Sequence, residues 1–349
     1  MREPFFRLLL LSALLLSLPG YGQQVDTFTN PLLPVGADPW SIYKDGYYYY
    51  THTTGKNITL WKTTSIDQLK NAPSRVVWTA PAAGPNSHDV WAPELHFLGG
   101  KWYLYFAADD GNNSNHRLWV LENPSPDPLQ GTWEMKGKLS GVEDKWAIDG
   151  SVFKHKNKLY LVWSGWEGDL NGKQDIYIAR LKNPWTIKGP RVRLSTPTYP
   201  WERDGDLDPK NDPPHVDVNE GPEVLGHGNK LFLIYSASAC WTDSYALGML
   251  TANANSNLLK PSSWRKSPEP VFRQSPENEV FAPGHNSFFK SPDGKEDWIL
   301  YHANSQRDQG CGSLRSPRAQ PFTWNPDGTP NFGKPVSTQT RLPRPSGER

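Results

Sequence analysis

Five polar residues stand out for their spacing: Asp38, Glu94, Asp149, Glu220 and His285, which are 56, 55, 71 and 65 residues apart in turn. Each leads a segment of one kind, an apolar stretch followed by a tight turn and a second aromatic-rich stretch. The segments are GADPWSIYKDGYYYYTHT, VWAPELHFLGGKWYLYFAA, WAIDGSVFKHKNKLYLVWSG, VNEGPEVLGHGNKLFLIYSAS and FAPGHNSFFKSPDGKEDWILYHAN. A period of this length with strand-like units marks a radial or stacked repeat. Repetition places equivalent residues at equivalent positions around an axis, so four carboxylates and one histidine would meet in one place. Crowded, buried carboxylates raise one another's pKa, and a purely structural protein avoids them. Acid–base cleavage of a glycosidic bond requires them: one carboxyl stays protonated as general acid while another is ionised as general base.

The elements that must position these residues are strands. Residues 47–51, 58–63, 102–107, 117–122, 159–164, 176–180, 231–236 and 298–302 are rich in aromatic and β-branched side chains. Lys44-Asp45-Gly46, Gly99-Gly100, Gly226-His227-Gly228 and Pro292-Asp293-Gly294 punctuate them as turns. Long amphipathic helical patterns are missing, and Trp78, Trp133, Trp185, Trp264 and Trp324 recur late in their repeats as a Trp-bearing final strand. Four strands per repeat and five repeats predict an all-β, five-bladed β-propeller. The polar, Pro-rich stretch 196–216 reads as a loop between the third and fourth blades, of a length that is often functional.

The start of the chain reads as a secretory signal peptide over residues 1–22: Arg2 and Arg7, an apolar run over 8–18, then Pro19-Gly20-Tyr21-Gly22. Residues 23–349 read as one domain, secreted or periplasmic, monomeric and without a membrane span. The formal net charge of +1 gives no electrostatic case for nucleic acid or anionic membranes. Sixteen Trp and an aromatic content of 12% suit either stacking on sugar faces or core packing. The two cysteines, Cys240 and Cys311, fall in neighbouring repeats; they form one disulfide in an oxidising compartment or remain two separate buried thiols. Asn57-Ile58-Thr59 and Asn112-Asn113-Ser114 are sequons that matter only in a glycosylating host.

GADPW, the AIDGS at 147–151, the NEGPEV at 219–224 and the GHNS at 284–287 resemble, in this order, the motifs of glycoside hydrolase family 43. The resemblance runs from about Asn30 to Val336. It implies a five-bladed propeller and an inverting mechanism with Asp38 as general base and Glu220 as general acid. Asp149 would be the third carboxylate, orienting the acid and raising its pKa. An inverting pair stands roughly 6.5–9.5 Å apart to admit a water. Glu223 competes as the acid, but strand alternation points it away from the side of Glu220. The resemblance places His285 near a channel metal, commonly calcium, held mostly through waters; no cofactor is required for the chemistry. Trp40, Trp91 and Phe281 are candidates for the wall around the cleaved sugar, with core packing as the competing account. Glu94 would bind substrate or neighbouring side chains. Either Arg315 or Arg318 would reach the substrate or the third carboxylate. His52 and Ser164 are further inward candidates.

The segments THTTGKNITLWKT, SASACWTDSYALGML and GCGSLRSPRAQPFTWNPDG are most similar to secreted, exo-acting α-L-arabinofuranosidases. The expected substrate is arabinan or arabino-oligosaccharide from plant cell walls, cut at terminal arabinofuranosyl units. The alternatives are a β-D-xylosidase or an endo-arabinanase of the same fold, and, in a different class, a non-catalytic carbohydrate-binding propeller.

Overall fold

The computed structural model describes Met1, residues 26–139 and residues 141–348. The signal-peptide segment lies outside the described residues. The fold is all-β, built from antiparallel four-strand meanders. The first comprises Ala37–Lys44, Tyr47–Thr53, Asn57–Thr63 and Ser74–Thr79. The second comprises His88–Leu98, Lys101–Asp109, Arg117–Asn123 and Glu134–Lys138. The third comprises Ala147–His155, Lys158–Gly165, Lys173–Asn183 and Thr186–Ser195. The fourth comprises Asp217–His227, Lys230–Ala237, Ala246–Asn253 and Trp264–Lys266. The fifth comprises Phe281–Lys290, Asp297–Asn304, Ser316–Trp324 and Pro330–Asn331. The third and fourth meanders merge into one eight-stranded sheet through a short parallel pairing of Lys173 and Gln174 with Asp217 and Val218.

The first strand of each meander touches the first strand of the next, and the fifth returns to the first. The core is divided accordingly into packed layers between neighbouring sheets. Trp102, Leu104 and Phe106 pack with Tyr49 and Ile58 between the first and second meanders. Tyr48, Tyr50, Phe289, Trp298 and Leu300 close the circle between the fifth and the first. The aromatic-rich second strands place side chains on both faces because each sheet is covered on both sides. Burying one such side chain stabilises the fold by about 1.5–3 kcal/mol.

The chain ends meet at that seam. Thr27–Phe28 pairs antiparallel with Leu342–Pro343. Asn30 donates its amide to Ala319 O at 2.9 Å and accepts the Ala319 N–H at 2.9 Å. Three tryptophans depart from the expected final-strand position: Trp324 ends the third strand of its meander, Trp185 sits in the turn after Asn183, and Trp133 lies one residue before the strand Glu134–Lys138. The 196–216 connection does join the third and fourth meanders, and it contains the single 3-10 turn Pro200–Glu202. Among the described residues no helix is long and apolar enough to cross a membrane.

Trp298 is 1% exposed and lies at the seam. Trp298→Ala is expected to lower unfolding free energy by about 3–5 kcal/mol, read as a fall in the denaturation midpoint in urea.

Candidate active site

Each inner strand is interrupted at the same place by two residues that bulge out of register. The breaks lie between Ala37 and Trp40, Trp91 and Glu94, Ile148 and Ser151, Glu220 and Glu223, and Gly284 and Ser287. The first bulged residue is left-handed in every case: Asp38 at φ 56°, Ala92 at 42°, Asp149 at 55°, Gly221 at 53° and His285 at 48°. Such a bulge interrupts pairing and re-aims a side chain. Aspartate visits this region more readily than most residues. Ala92 and His285 hold it at a cost of about 1–3 kcal/mol each.

The bulges correct the alignment of the repeats. Asp38, Asp149 and His285 are equivalent, but their counterparts in the second and fourth meanders are Ala92 and Gly221, not Glu94 and Glu220. Glu220 stands one step before its bulge, in the row of Trp91 and Ile148. Glu94 stands one step after, in the row of Trp40, Ser151 and Glu223. The prolines that follow Asp38, Ala92 and Gly221 carried this signal in the sequence.

Asp38, Asp149, Glu220, His285 and Arg315 line one cavity of about 400 Å³, together with Trp91, Trp146, Asn113, Asn171, Gln174 and Trp241. Asp38 is enclosed by donors. Thr53 Oγ1 donates to Oδ2 at 2.6 Å, and Arg315 Nη1 and His285 Nδ1 each lie 3.3 Å from Oδ1. The Asp38 N–H donates to His302 Nδ1 at 3.0 Å, so that nitrogen carries no proton. Burial pushes the Asp38 carboxyl upward, but His285, Arg315 and the Thr53 hydroxyl outweigh it and hold the group well below the usual carboxylate range. Arg315 is the permanent cation among them.

Glu220 has the opposite balance. Burial raises it, the Asp38 charge adds to that, and the Tyr245 hydroxyl (2.9 Å from Oε1) and Arg315 offset only part; the group is pushed up to about 7. Asp149 is driven well above its ordinary value by burial, then by Glu220 and Asp38, against the Gly221 N–H that it accepts at 3.0 Å. Asp149 and Glu220 therefore act as a coupled pair. The cavity holds carboxyl groups of opposed protonation, the condition for acid–base work.

The aromatic wall differs from expectation in two places. Trp91 does line the cavity, stacked on His116 at 4.1 Å, whose Nδ1 lies 3.0 Å from the buried Asp109 carboxylate. Trp40 does not: its indole N–H donates to Leu95 O at 2.9 Å, and its ring faces a second cavity at the opposite end of the channel. The two-residue bulge carries the chain past this cavity between Asp38 and Trp40. Phe281 is buried under the Arg307 guanidinium, 5.0 Å from its ring centroid, and is absent from the cavity wall. Trp146, stacked on Trp166 at 4.7 Å, takes a place on the wall that sequence reading missed.

Glu94 lies away from this cavity and hydrogen-bonds His96 at 2.8 Å, and burial and the charge of Glu223 push it well above the usual range. Glu223 itself lines the far cavity, away from Glu220. Between the two arginines, Arg315 reaches the site, whereas Arg318 is fully buried in its strand and donates to Ser305 Oγ at 2.8 Å. His52 stacks on Trp61 at 4.8 Å, and Ser164 donates to Asn219 O at 3.0 Å; neither lines the cavity. Thr53 and Tyr245 were also missed; they lie 15 and 25 residues along the chain from Asp38 and Glu220, outside the motifs that carry those carboxylates.

Calcium takes six to eight oxygen ligands. His285 offers a nitrogen that already faces Asp38, and among the described residues no three His, Cys, Asp or Glu side chains converge to hold a metal. The donor set does not fit a calcium held directly by the protein.

An all-β ring with carboxyl groups of opposed protonation in one cavity is suited to glycoside hydrolysis. The chain belongs to the glycosyl hydrolases of family 43, whose profile matches residues 28–330. It is 42% identical over 323 residues to an extracellular exo-α-(1→5)-L-arabinofuranosidase of Streptomyces avermitilis, covering 89% of this chain and 64% of the relative. A Streptomyces chartreusis protein of the same description is 40% identical over 286 residues, covering 80% of this chain and 84% of the relative. The crystal structure of an α-L-arabinofuranosidase from Lactobacillus brevis superposes with a TM-score of 0.81 at 39% identity, covering 90% of this chain and 98% of that one.

Gly221 is needed for the cavity floor. At φ 53° an added Cβ would meet the His285 ring at 3.2 Å. Gly221→Ala is expected to reduce kcat/KM on the order of 10- to 100-fold, as a small displacement of reacting groups does. Gly228→Ala, at φ 56° with open space around it, serves as the control and should leave kcat/KM unchanged.

Proposed function

We propose that this protein is an exo-acting, inverting α-L-arabinofuranosidase on a five-bladed β-propeller, releasing terminal arabinofuranosyl units from arabinan or arabino-oligosaccharides. The blade count rests on the closed circuit of five inner strands. The chain spans 64% of the length of the Streptomyces avermitilis relative, and its activity and substrate are assigned by similarity to proteins named for that activity. Secretion follows from relatives named as extracellular. A monomer acting on plant cell-wall carbohydrate completes the reading.

The observation that carries the mechanism is the unequal treatment of Asp38 and Glu220. Asp38, kept ionised beside Arg315, accepts a proton from a water that attacks the anomeric carbon. Glu220, kept protonated by burial, gives its proton to the leaving oxygen. Asp149 accepts the Gly221 N–H and so fixes the backbone next to Glu220. His285, seated on Gly221, and Thr53 keep the base in its rotamer. Trp91 and Trp146 supply flat apolar walls to the sugar, while Asn113, Asn171 and Gln174 offer hydrogen bonds to its hydroxyls.

The general acid must be protonated and the base ionised. Activity is therefore present below the Glu220 value and lost above it: kcat/KM on arabino-oligosaccharides should fall by about tenfold per pH unit above pH ~7. The acid limb should lie below the ordinary aspartate range, because Asp38 is held low.

Glu220→Gln should lose about 10²–10⁴-fold on arabinotriose and far less on an aryl arabinofuranoside with a good leaving group. Equal losses on both substrates would remove Glu220 from the acid's role. Asp38→Asn should abolish turnover of both. NMR of the first-released anomer should show inversion; retention would overturn the mechanism.

A further inference from the structure

The cavity has a second apolar side that the division of labour between Asp38 and Glu220 leaves unused. Two loops build it, residues 238–245 after the second strand of the fourth blade and residues 305–315 after the second strand of the fifth. They are joined by the Cys240–Cys311 disulfide, with Cα atoms 5.1 Å apart. Asp243 Oδ1 accepts the Asp308 N–H at 3.0 Å, and Arg307 lies 3.7 Å from the same carboxylate. Asn304 holds Gly310 O at 3.0 Å, which keeps the turn at Gly310 beside Trp241.

Trp241 is fixed from a third direction. Its indole N–H donates to Asp206 O at 2.8 Å, in the 196–216 loop. That loop is anchored by Glu202, wholly buried, which takes hydrogen bonds from Lys266 at 2.7 Å and Tyr235 at 2.9 Å. The result is an apolar wall of Trp241, Leu207, Val216 and the two disulfide sulfurs, facing into the same cavity as the carboxylates. Nothing in the chemistry at the anomeric carbon calls for it.

The position of the acid says what the wall is for. A general acid contacts the oxygen of the leaving group, so the leaving sugar lies on the acid's side of the cleaved bond. Glu220 stands on the inner strand of the fourth blade, and Cys240 and Trp241 follow in the loop of that blade. Trp91 and Trp146 belong to the second and third blades, across the cavity.

We propose that Trp241, pinned by the Cys240–Cys311 disulfide, is the platform for the sugar on the leaving-group side and sets the preference for oligosaccharide over a small aglycone. This rests on the assignment of Glu220 as acid. The disulfide is a positioning element. It also sits near two contacts to the carboxylates, because Tyr245 and Arg315 follow Cys240 and Cys311 by five and four residues.

The test separates binding from turnover. Trp241→Ala should lower kcat/KM on arabinotriose by about tenfold or more, through remote binding energy lost from a non-reacting unit. The same variant should change kcat/KM on 4-nitrophenyl arabinofuranoside less than threefold, on the order of experimental scatter for an untouched transition state. Trp241→Phe should restore most of the loss. In a Glu220→Gln background, calorimetry should show arabinotriose binding weakened by Trp241→Ala and arabinose binding unchanged, whether or not the enzyme turns over. In the same Glu220→Gln background the Cys240→Ser/Cys311→Ser pair should likewise weaken arabinotriose binding and leave arabinose binding unchanged. Equal losses on both substrates would make Trp241 part of the catalytic wall or a structural residue, and no loss on arabinotriose would end the platform; either overturns the proposal. Wild-type enzyme inert on both substrates would break the functional reading instead, while the calorimetry still decides the platform.

Discussion

Three carboxyl groups cannot all be ionised in one buried cavity, and the structure around the channel mouth is organised by that constraint. Charge in a low-dielectric site is costly unless it is paired. Arg315, His285 and Thr53 all contact Asp38, so one negative charge is stabilised and the protons stay with the others. Glu220 receives a single hydroxyl, from Tyr245, and Asp149 a single backbone N–H. The asymmetry of donors, rather than the carboxylates themselves, gives similar side chains opposed protonation.

Backbone geometry makes the asymmetry possible. A regular strand alternates its side chains between two faces, and inner strands could not aim Asp38, Asp149 and His285 at one end of the channel while continuing outward as ordinary strands. The left-handed bulge turns one residue toward the mouth and returns the next to the ladder. Trp40, Glu94, Ser151 and Glu223 consequently belong to a deeper row facing the other opening, where Glu94 and His96 satisfy each other. Conformational strain at Ala92 and His285 is held by the packed layers on either side, and those layers hold only because the circuit of sheets is closed at the seam of Asn30 with Ala319 and of Trp298 with Tyr48.

Loops complete what the strands cannot. The disulfide between loops of neighbouring sheets and the buried Glu202 anchor fix long connections, a class of segment that is mobile where nothing ties it down. With them fixed, Trp241 and Arg315 are presented from opposite loops to one cavity. Rigid support of this sort is what places side chains well enough for chemistry.

From sequence alone the all-β class, the repeat, the turn positions and the convergence of Asp38, Asp149 and Glu220 on one cavity were legible, because strand periodicity, turn chemistry and short motifs are local properties of the chain. Tertiary structure decided the rest. Glu94 and Trp40 read as members of the site because a repeat alignment counts residues, whereas a bulge shifts the row by one or two without changing composition. Arg315 and Arg318 could not be told apart by sequence, since one is in a loop at the cavity and the other three residues on, inside a buried strand. Thr53, Trp146, Tyr245 and Trp241 carried no local mark: Thr53 and Tyr245 reach their carboxylates from neighbouring strands and loops, and Trp146 and Trp241 reach the cavity through the fold. Pairing of Cys240 with Cys311 was one of two open outcomes until the loops were seen side by side. Local chemistry can be read along a chain; the sharing of one cavity by several sheets depends on closure of the ring, which no single segment encodes.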